Sequence, residues 1–302
     1  MTKMPWLLID GGWLAYRAMW SVMKDQCMHQ ADLAAFLILD QLRVICCDPK
    51  CQSNRVGVFF DSRTSRRRAS FPAYKASRKT TDPDKLEQLK CLWEGIEWAI
   101  GETFPALGVP VYRKEGYEAD DLIAAACEVV ERAIIITADG DLYQMISEKV
   151  HWYDPSRRRY YTPTSFELEK GITPYQWVRV KSIAGCSGDG IPGVGGVGEK
   201  TAILYLIKTL TNGKRLDAIE GIRGQEIIAR NLKLVRLPYE GAGVIKVREP
   251  GWDLEGFAAE CRQRDLESFV DGERLRDWRM IVAGKFSATD AQRGRQRRRV
   301  ST

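Results

Sequence analysis

Residues 115–144, EGYEADDLIAAACEVVERAIIITADGDLYQ, form the stretch that decides the fold. The run Leu122–Val130 is rich in Ala and contains no Pro or Gly, so it predicts a helix. The run Ala133–Thr137 is mostly β-branched and predicts a short buried strand. Five carboxylates flank these two elements: Glu118, Asp120 and Asp121 in the first turn of the helix, and Asp139 and Asp141 directly after the strand.

The positions of these carboxylates indicate a cation site. In an open α/β sheet, ligands bind at the carboxyl ends of the strands. Clustered carboxylates raise each other's pKa values unless a cation lies among them, and oxygen ligands of this kind suit Mg²⁺ or Mn²⁺. The alternative is a solvated acidic helix start followed by an acidic turn.

Two further predicted strands deliver a carboxylate to the same edge. Trp6–Ile9 is followed by Asp10, and Val56–Phe60 is followed by Asp61. A phosphatase of the haloacid dehalogenase type needs a second Asp where this chain has Gly12, so that class is disfavoured. The order of strands, helices and short links predicts an α/β fold with a mostly parallel central sheet flanked by helices.

A basic segment begins directly after Asp61: residues 62–82 read SRTSRRRASFPAYKASRKTTD, without an acid before Asp82. Basic side chains neutralise phosphates and aromatic rings offer a face for bases, so this mixture is typical of nucleic-acid binding. The alternative is a solvated basic loop, which the position of the segment at an acidic strand end disfavours. The candidate nucleic-acid contacts in it are Arg66, Arg67, Arg68, Tyr74, Lys75 and Arg78.

The glycine-rich segment 185–198, GCSGDGIPGVGGVG, is a second candidate for phosphate binding and lies between two predicted helices. No strand precedes its GxGxxG motif, which disfavours a dinucleotide fold, and Glu199 stands where a P-loop needs lysine. A helix–loop–helix that holds a nucleic-acid backbone fits better, because free backbone amides at the start of a helix bind phosphate. The candidate contacts are Gly193, Gly195, Gly198 and Lys200.

The composition and the start of the chain argue against several classes of protein. The chain has 302 residues, a net charge of +6, only two His, and eight Cys without a paired CxxC motif, which argues against His-rich or Cys-rich metal sites. No apolar run of about 18 residues predicts a membrane span. The start, MTKMPWLLIDGG, is too short before Asp10 for a secretion signal, so a cytoplasmic location is expected.

A change of composition near residue 160 predicts two domains and a tail. Residues 1–160 would form the α/β domain, with the basic segment at about 62–82. Residues 161–285 would form a helical domain, with the glycine helix–loop–helix at about 173–210. Residues 286–302, which are rich in Arg, would be a disordered tail.

Five motifs together resemble the 5′ nuclease family, which comprises flap endonucleases, bacteriophage 5′ exonucleases and the 5′ nuclease domain of bacterial DNA polymerase I. They are LLIDGGWLAYRA (7–18), FFDSRTSRRRASFPAYKASRK (59–79), EADD (118–121), TADGDLYQ (137–144) and GCSGDGIPGVGGVGEKTA (185–202). The resemblance implies a PIN-like nuclease fold. In it the basic segment is an arch over the scissile phosphate, and the glycine segment is a helix-three-turn-helix that grips duplex DNA.

The resemblance also implies a Mg²⁺- or Mn²⁺-dependent 5′–3′ exonuclease or flap endonuclease. Such an enzyme, a monomer, would hydrolyse phosphodiester bonds near 5′ ends, flaps or nicks of DNA during replication and repair, with two metal ions. Lys75 and Arg78 would act on the scissile phosphate, Tyr16 would stack near the substrate end, and a K⁺ ion would bind at the glycine loop. The implied ligands are Asp10, Asp61, Glu118 and Asp120, with Asp121 in the same cluster, for the first ion, and Asp139, Asp141 and Asp189 for the second.

One departure from the family pattern concerns the second ion. Family members have Gly-Asp where this chain has Gly185 and Cys186, so one acidic ligand is missing and the second ion is expected to bind more weakly. Packing of Cys186 as a small buried residue is the alternative. Two other functions stay open: a structure-specific DNA-binding protein with weak or no nuclease activity, and a ribonuclease of the single-domain PIN type, which would lack the arch and the glycine segment.

Overall fold

A computed structural model describes residues 3–22, 31–78 and 80–286. Its centre is a six-stranded sheet in the order β3-β2-β1-β4-β5-β6, in which neighbouring strands are parallel except β5 and β6. These strands are β1 (Trp6–Asp10), β2 (Val56–Phe59), β3 (Val111–Tyr112), β4 (Ala133–Ile136), β5 (Val150–Asp154) and β6 (Arg159–Tyr161). The predicted mostly parallel sheet is confirmed. A separate short hairpin pairs β7 (Gly185–Cys186) with β8 (Ile191–Pro192).

Helices pack on both faces of the sheet, and further helices pack on one another in the part of the chain that follows β6. They are α1 (Gly11–Val22), α2 (Ala31–Cys46), α3 (Arg66–Ser70), α4 (Pro83–Trp98), α5 (Phe104–Leu107), α6 (Ala119–Val129), α7 (Pro163–Lys170), α8 (Trp177–Ala184), α9 (Glu199–Leu206), α10 (Lys214–Glu220), α11 (Ile222–Val235), α12 (Leu254–Gln263) and α13 (Gly272–Ala283). A π-helical turn, Ala99–Thr103, joins α4 to α5. Short 3-10 helices lie at Ala76–Arg78, Gly140–Met145, Pro174–Gln176, Ser187–Asp189 and Glu267–Val270.

The central strands are apolar throughout because both of their faces are buried. In β1, Leu7 and Ile9 face a core shared with α2, whereas Leu8 faces a second core shared with α6. Ile9 is paired with Ile136 of β4 and Asp10 with Phe59 of β2. This register brings the carboxyl ends of β1, β2 and β4 to the same edge of the sheet.

The C-terminal helices return to the N-terminal half of the chain. Phe257 of α12 stacks on Phe36 of α2 with ring centroids 5.8 Å apart, and Trp278 of α13 contacts Phe257 at 5.7 Å. All three side chains belong to the core that lies on the α2 face of the sheet. Residues 254–283 therefore complete the α/β layer, although they were predicted to belong to the helical domain of residues 161–285.

The position of the predicted boundary coincides with an element of the sheet. Strand β6 pairs antiparallel with β5 and spans residue 160, so the predicted boundary falls within the central sheet. The division into two domains stays a prediction.

Of the predicted tail, residues 287–302 lie outside the described residues. In the parts of the chain that the structure describes, every helix is too short or too polar to span a membrane.

Candidate metal centre

The predicted carboxylates converge at the carboxyl edge of the sheet. Asp10 ends β1, Asp61 follows β2, Asp139 follows β4, and Asp120 lies in the first turn of α6. The backbone amide of Ala119 donates to Asp61 Oδ1 at 2.7 Å, which fixes the start of α6 against the end of β2. The structure thus places these acids, which follow successive strands in the sequence, together at the carboxyl edge of the sheet.

Mutual repulsion is visible in the pKa values of this cluster. Burial, with a contribution from the charge of Asp61, raises the pKa of Asp10 to about 6. Burial followed by repulsion from Asp139 and Asp10 raises the pKa of Asp120 well above its usual range. Asp139 has accessible surface and lines a pocket together with Asp141 and Lys181. Desolvation by the surrounding protein, followed by repulsion from Asp141, raises the pKa of Asp139 to about 6. Added positive charge would relieve this repulsion.

Thr137 organises the centre of the cluster, a role that the sequence analysis missed. Its hydroxyl donates to Asp10 Oδ2 at 2.9 Å and accepts from the backbone amide of Asp139 at 3.1 Å. The side chain is fully buried. A hydroxyl residue at the end of the apolar run AIII was the available signal, because a buried hydroxyl in such a place needs polar partners.

Glu118 lies between the acids and the basic segment. Lys75 Nζ is 3.0 Å from Glu118 Oε1, and the hydroxyl of Tyr74 donates to Oε2 at 2.7 Å. Burial opposes ionisation of Glu118, but the charges of Lys75 and Arg67 outweigh it and lower its pKa. Lys75, 17% exposed, is thus placed directly at the carboxylate edge.

Asp121 and Arg67 need a correction, because the structure pairs them with each other inside the protein. Arg67 Nη1 and Nη2 lie 2.6 and 2.7 Å from the two oxygens of Asp121, and Arg67 Nε donates to Leu234 O at 2.8 Å. Asp121 also accepts from the amides of Glu118 (3.1 Å) and Tyr239 (2.8 Å). With Asp121 0% and Arg67 4% exposed, Asp121 has no free oxygen for a metal ion and Arg67 no surface for DNA.

The other predicted contacts of the basic segment differ in exposure. Tyr74 is 3% exposed and its hydroxyl is bound to Glu118, so its assignment as a stacking face for DNA is also corrected. Arg66 lies over the ring of Tyr117 at 5.0 Å, and Arg68 is exposed. Tyr16 of α1 is 48% exposed and remains available for stacking.

Two acids of the second group, Asp141 and Asp189, are paired with cations. Lys181 Nζ lies 2.9 Å from Asp141 Oδ1, and the Cys186 thiol lies 3.8 Å from Asp141 Oδ2. Arg78 binds the carboxylate of Asp189 and donates to Gly188 O at 3.2 Å. Burial, with repulsion from Asp141, raises the pKa of the Cys186 thiol, so this residue is neutral at pH 7. Lys181 was not among the predicted site residues.

The donor chemistry fits a hard divalent ion, but the side chains do not form a ready coordination shell. Within residues 3–22, 31–78 and 80–286, no three His, Cys, Asp or Glu side chains are arranged to hold one ion. Lys75, Lys181 and Arg78 instead bind individual acids of the two groups. The repelling carboxylates supply the oxygen ligands that Mg²⁺ or Mn²⁺ prefers.

The glycine segment connects α8 to α9, and its glycines have different surroundings. A Cβ on Gly193 would meet Ala184 O at 2.1 Å, so this glycine permits close backbone packing rather than an open contact. A Cβ on Gly195 or Gly198 would meet nothing within 4 Å. Gly195, Gly198 and Lys200 are exposed, so they remain accessible to a phosphate backbone.

Comparison with known proteins identifies the family. The family model for the 5′-3′ exonuclease N-terminal resolvase-like domain matches residues 5–171, more than half of the chain. The chain is 32% identical over 296 residues to DNA polymerase I of Bacillus caldotenax and 33% identical over 269 residues to the thermostable DNA polymerase I of Thermus thermophilus. These matches cover 89% and 86% of the chain but only 32% and 31% of the polymerases. The chain thus spans about a third of the length of these relatives.

Solved structures share the fold. T5 5′-exonuclease with bound divalent zinc ions superposes with a TM-score of 0.62 at 20% identity, covering 94% of this chain and 100% of that one. Human GEN1 in complex with Holliday junction DNA superposes with a TM-score of 0.57 at 16% identity, covering 93% of this chain and 73% of that one. These likenesses confirm the predicted PIN-like fold class. Together with the match of the family model, they lead to one conclusion: the chain belongs to the 5′ nuclease family.

Proposed function

We propose that this chain is a structure-specific 5′–3′ exonuclease and flap endonuclease that hydrolyses DNA phosphodiester bonds with the aid of divalent metal ions. The observation that carries the proposal is the convergence of Asp10, Asp61, Asp120 and Asp139 at one sheet edge, where their charges raise one another's pKa values. Such an arrangement is unfavourable without a cation and suits a metal-dependent phosphoryl-transfer site.

Two sets of carboxylates would hold the ions. Asp10, Asp61, Glu118 and Asp120 form the first set, from which Asp121 is now removed, and Asp139, Asp141 and Asp189 form the second. When bound, Mg²⁺ or Mn²⁺ supplies an activated water and stabilises the leaving oxygen. Thr137 orients Asp10 through its hydrogen bond, so that this carboxylate is fixed before a ligand arrives.

Lys75 and Arg78 would bind the scissile phosphate. Both now contact acids of the centre, Glu118 for Lys75 and Asp189 for Arg78, and an incoming phosphate oxygen would compete for their N–H groups. Because negative charge accumulates on the phosphate during hydrolysis, fixed cations at this place stabilise the transition state more than the ground state.

The remaining contacts would hold the DNA away from the reacting bond. Arg66 and Arg68 offer charge near the arch, Tyr16 offers an exposed ring, and Gly195, Gly198 and Lys200 offer amides and charge to the duplex backbone. These contacts involve phosphates and ring faces, so they select DNA structure rather than base sequence. A K⁺ ion at the glycine loop, a monomeric state and a cytoplasmic location complete the proposal.

A cleavage assay tests this function. End-labelled flap, nicked and blunt duplexes are incubated with the full chain and Mg²⁺, and product lengths are read on a denaturing gel. We expect cleavage near the 5′ end or flap junction, which requires the metal and disappears in Asp120→Asn while DNA binding persists. Binding of flap DNA without any cleavage in Mg²⁺ or Mn²⁺ would instead support a structure-specific binding protein. Cleavage of single-stranded RNA but not DNA would support a PIN-type ribonuclease.

A further inference from the structure

Lys181 occupies a central place in the second group of acids. It lies on α8, and its Nζ is 2.9 Å from Asp141 Oδ1 and 3.1 Å from Glu199 Oε1. Its ammonium lies 5.7 Å from the centroid of the Trp177 ring, and the side chain is only 15% exposed. The ammonium is therefore held between an acid of the candidate metal centre and the first turn of α9.

Cys186 completes the surroundings of Asp141. Its Sγ lies 3.8 Å from Asp141 Oδ2, so both oxygens of this carboxylate face a partner other than a metal ion. A neutral thiol adds no negative charge and is a poor ligand for a hard cation. Cys186 therefore adds no negative charge beside Asp141 that would attract a divalent ion in preference to the ammonium of Lys181.

The two groups of acids differ in their charge balance. In the first, Asp10, Asp61, Glu118 and Asp120 are opposed mainly by Lys75, because Arg67 is engaged by Asp121. In the second, Asp139, Asp141 and Asp189 are opposed by Lys181 and Arg78. Four acids against one cation leave the first group more negative than the second, in which three acids face two cations and Lys181 is shared with Glu199. A divalent cation is therefore attracted more strongly to the first group.

We infer that Lys181 is the resident cation of the second group: its ammonium takes the place of a second divalent ion at Asp141, and this chain holds one divalent ion tightly, at the first group. The inference rests on the proposed metal-dependent function of this site. Lys181 acts by positioning Asp141 and by supplying charge, and a second ion binds only where it displaces the ammonium.

Direct counting of bound Mn²⁺ tests this inference without measuring activity. The full chain is titrated with Mn²⁺ in the absence of DNA, and free Mn²⁺ is followed by electron paramagnetic resonance. We expect one tightly bound ion per chain. Lys181→Met removes the charge while keeping an unbranched side chain, and should strengthen the second binding step about tenfold or more. Lys181→Arg keeps the charge and should behave like the parent.

Two further variants control the experiment. Lys214 of α10 is exposed and far from the acids in sequence, so Lys214→Met should leave the titration unchanged. If Lys181→Met does not fold, Cys186→Asp combined with Lys181→Gln provides the missing acid and should bind two ions.

The outcomes separate the two proposals. One ion in the parent and still one in every folded Lys181 variant would leave the proposed function standing but overturn the role of Lys181. Two ions of similar affinity in the parent would overturn it as well. No bound Mn²⁺ at all would overturn the proposed metal-dependent function, and this inference with it.

Discussion

The pair of Arg67 and Asp121 gives the sharpest test of the structure, because sequence reasoning assigned both residues to other roles. Arg67 makes two short contacts with Asp121, at 2.6 and 2.7 Å, and donates to Leu234 O. Asp121 in turn accepts from the amides of Glu118 and Tyr239. The pair therefore joins the basic segment, the start of α6 and the chain after α11.

The expected loss of stability follows from what each truncation leaves behind. Removing one partner of a buried ion pair costs about 3–5 kcal/mol, because the other charge stays buried without compensation. Arg67→Ala leaves Asp121 with two backbone amide donors, so we expect about 3 kcal/mol. Asp121→Ala leaves a guanidinium with one carbonyl and a 3.4 Å contact to Glu118, so we expect about 5 kcal/mol. The double variant should cost less than the sum of both, since neither charge is then stranded.

Urea unfolding followed by tryptophan fluorescence measures these differences, and Arg68→Ala is the matched control. Arg68 is the next residue and is exposed, so its truncation should change the free energy of unfolding by less than about 0.5 kcal/mol. DNA affinity is measured in parallel at several salt concentrations, where Arg68→Ala should weaken binding in a salt-dependent way.

One result would refute this reasoning. If Arg67→Ala and Arg68→Ala unfold at the same urea concentration, and both only weaken salt-dependent DNA binding, then Arg67 faces the DNA and its buried pairing with Asp121 is not the solution structure.

Three further predictions follow from single contacts. Lys75→Ala should lower the single-turnover cleavage rate at saturating DNA, and full recovery of the rate at high DNA concentration would make Lys75 a binding residue only. Because burial and repulsion raise the pKa of Asp10 to about 6, above the 3.8 of an ordinary Asp, the folded metal-free chain takes up a proton that the unfolded chain does not. Its free energy of unfolding should therefore rise by about 1 kcal/mol between pH 7 and pH 5 relative to Asp10→Asn, and saturating Mg²⁺ should remove this difference. Gly193→Ala places a Cβ against Ala184 O and should cost about 1–3 kcal/mol of stability, whereas Gly195→Ala, with open space around it, should change thermal unfolding little.

The strand-end acids were predictable for a simple physical reason. Asp10, Asp61 and Asp139 each follow a short apolar run, and parallel strands bring such positions to one edge whatever the side-chain details. The roles of Asp120 and Asp121 were harder to predict. Neighbouring residues in a helical turn point in different directions, and the helical pattern does not show which of the two faces the other acids. A signal existed: Asp121 is three residues after the N-cap Glu118, the place of a capping-box acceptor.

Sequence patterns did not predict the contacts between distant parts of the chain. The run Arg66, Arg67 and Arg68 looks uniform, but α3 turns the middle residue inward against Leu234, which is 167 residues away. The pairing of Lys181 with Asp141 likewise depends on how α8 packs beside the end of β4. Tertiary packing decides which side chains turn inward and which distant residues pair, and the local sequence does not predict either.

The return of the C-terminal helices has a consequence for how this protein can be divided. Asp253 N donates to Leu107 O and Trp252 Nε1 to Asn54 O, so the chain is tied back to its N-terminal half just before α12. The helices between β6 and Trp252 therefore form an insertion that is connected to the α/β layer at both of its ends. A fragment that stops at residue 171 would leave Phe36 without Phe257, and expression of the nuclease half alone should give an aggregating chain.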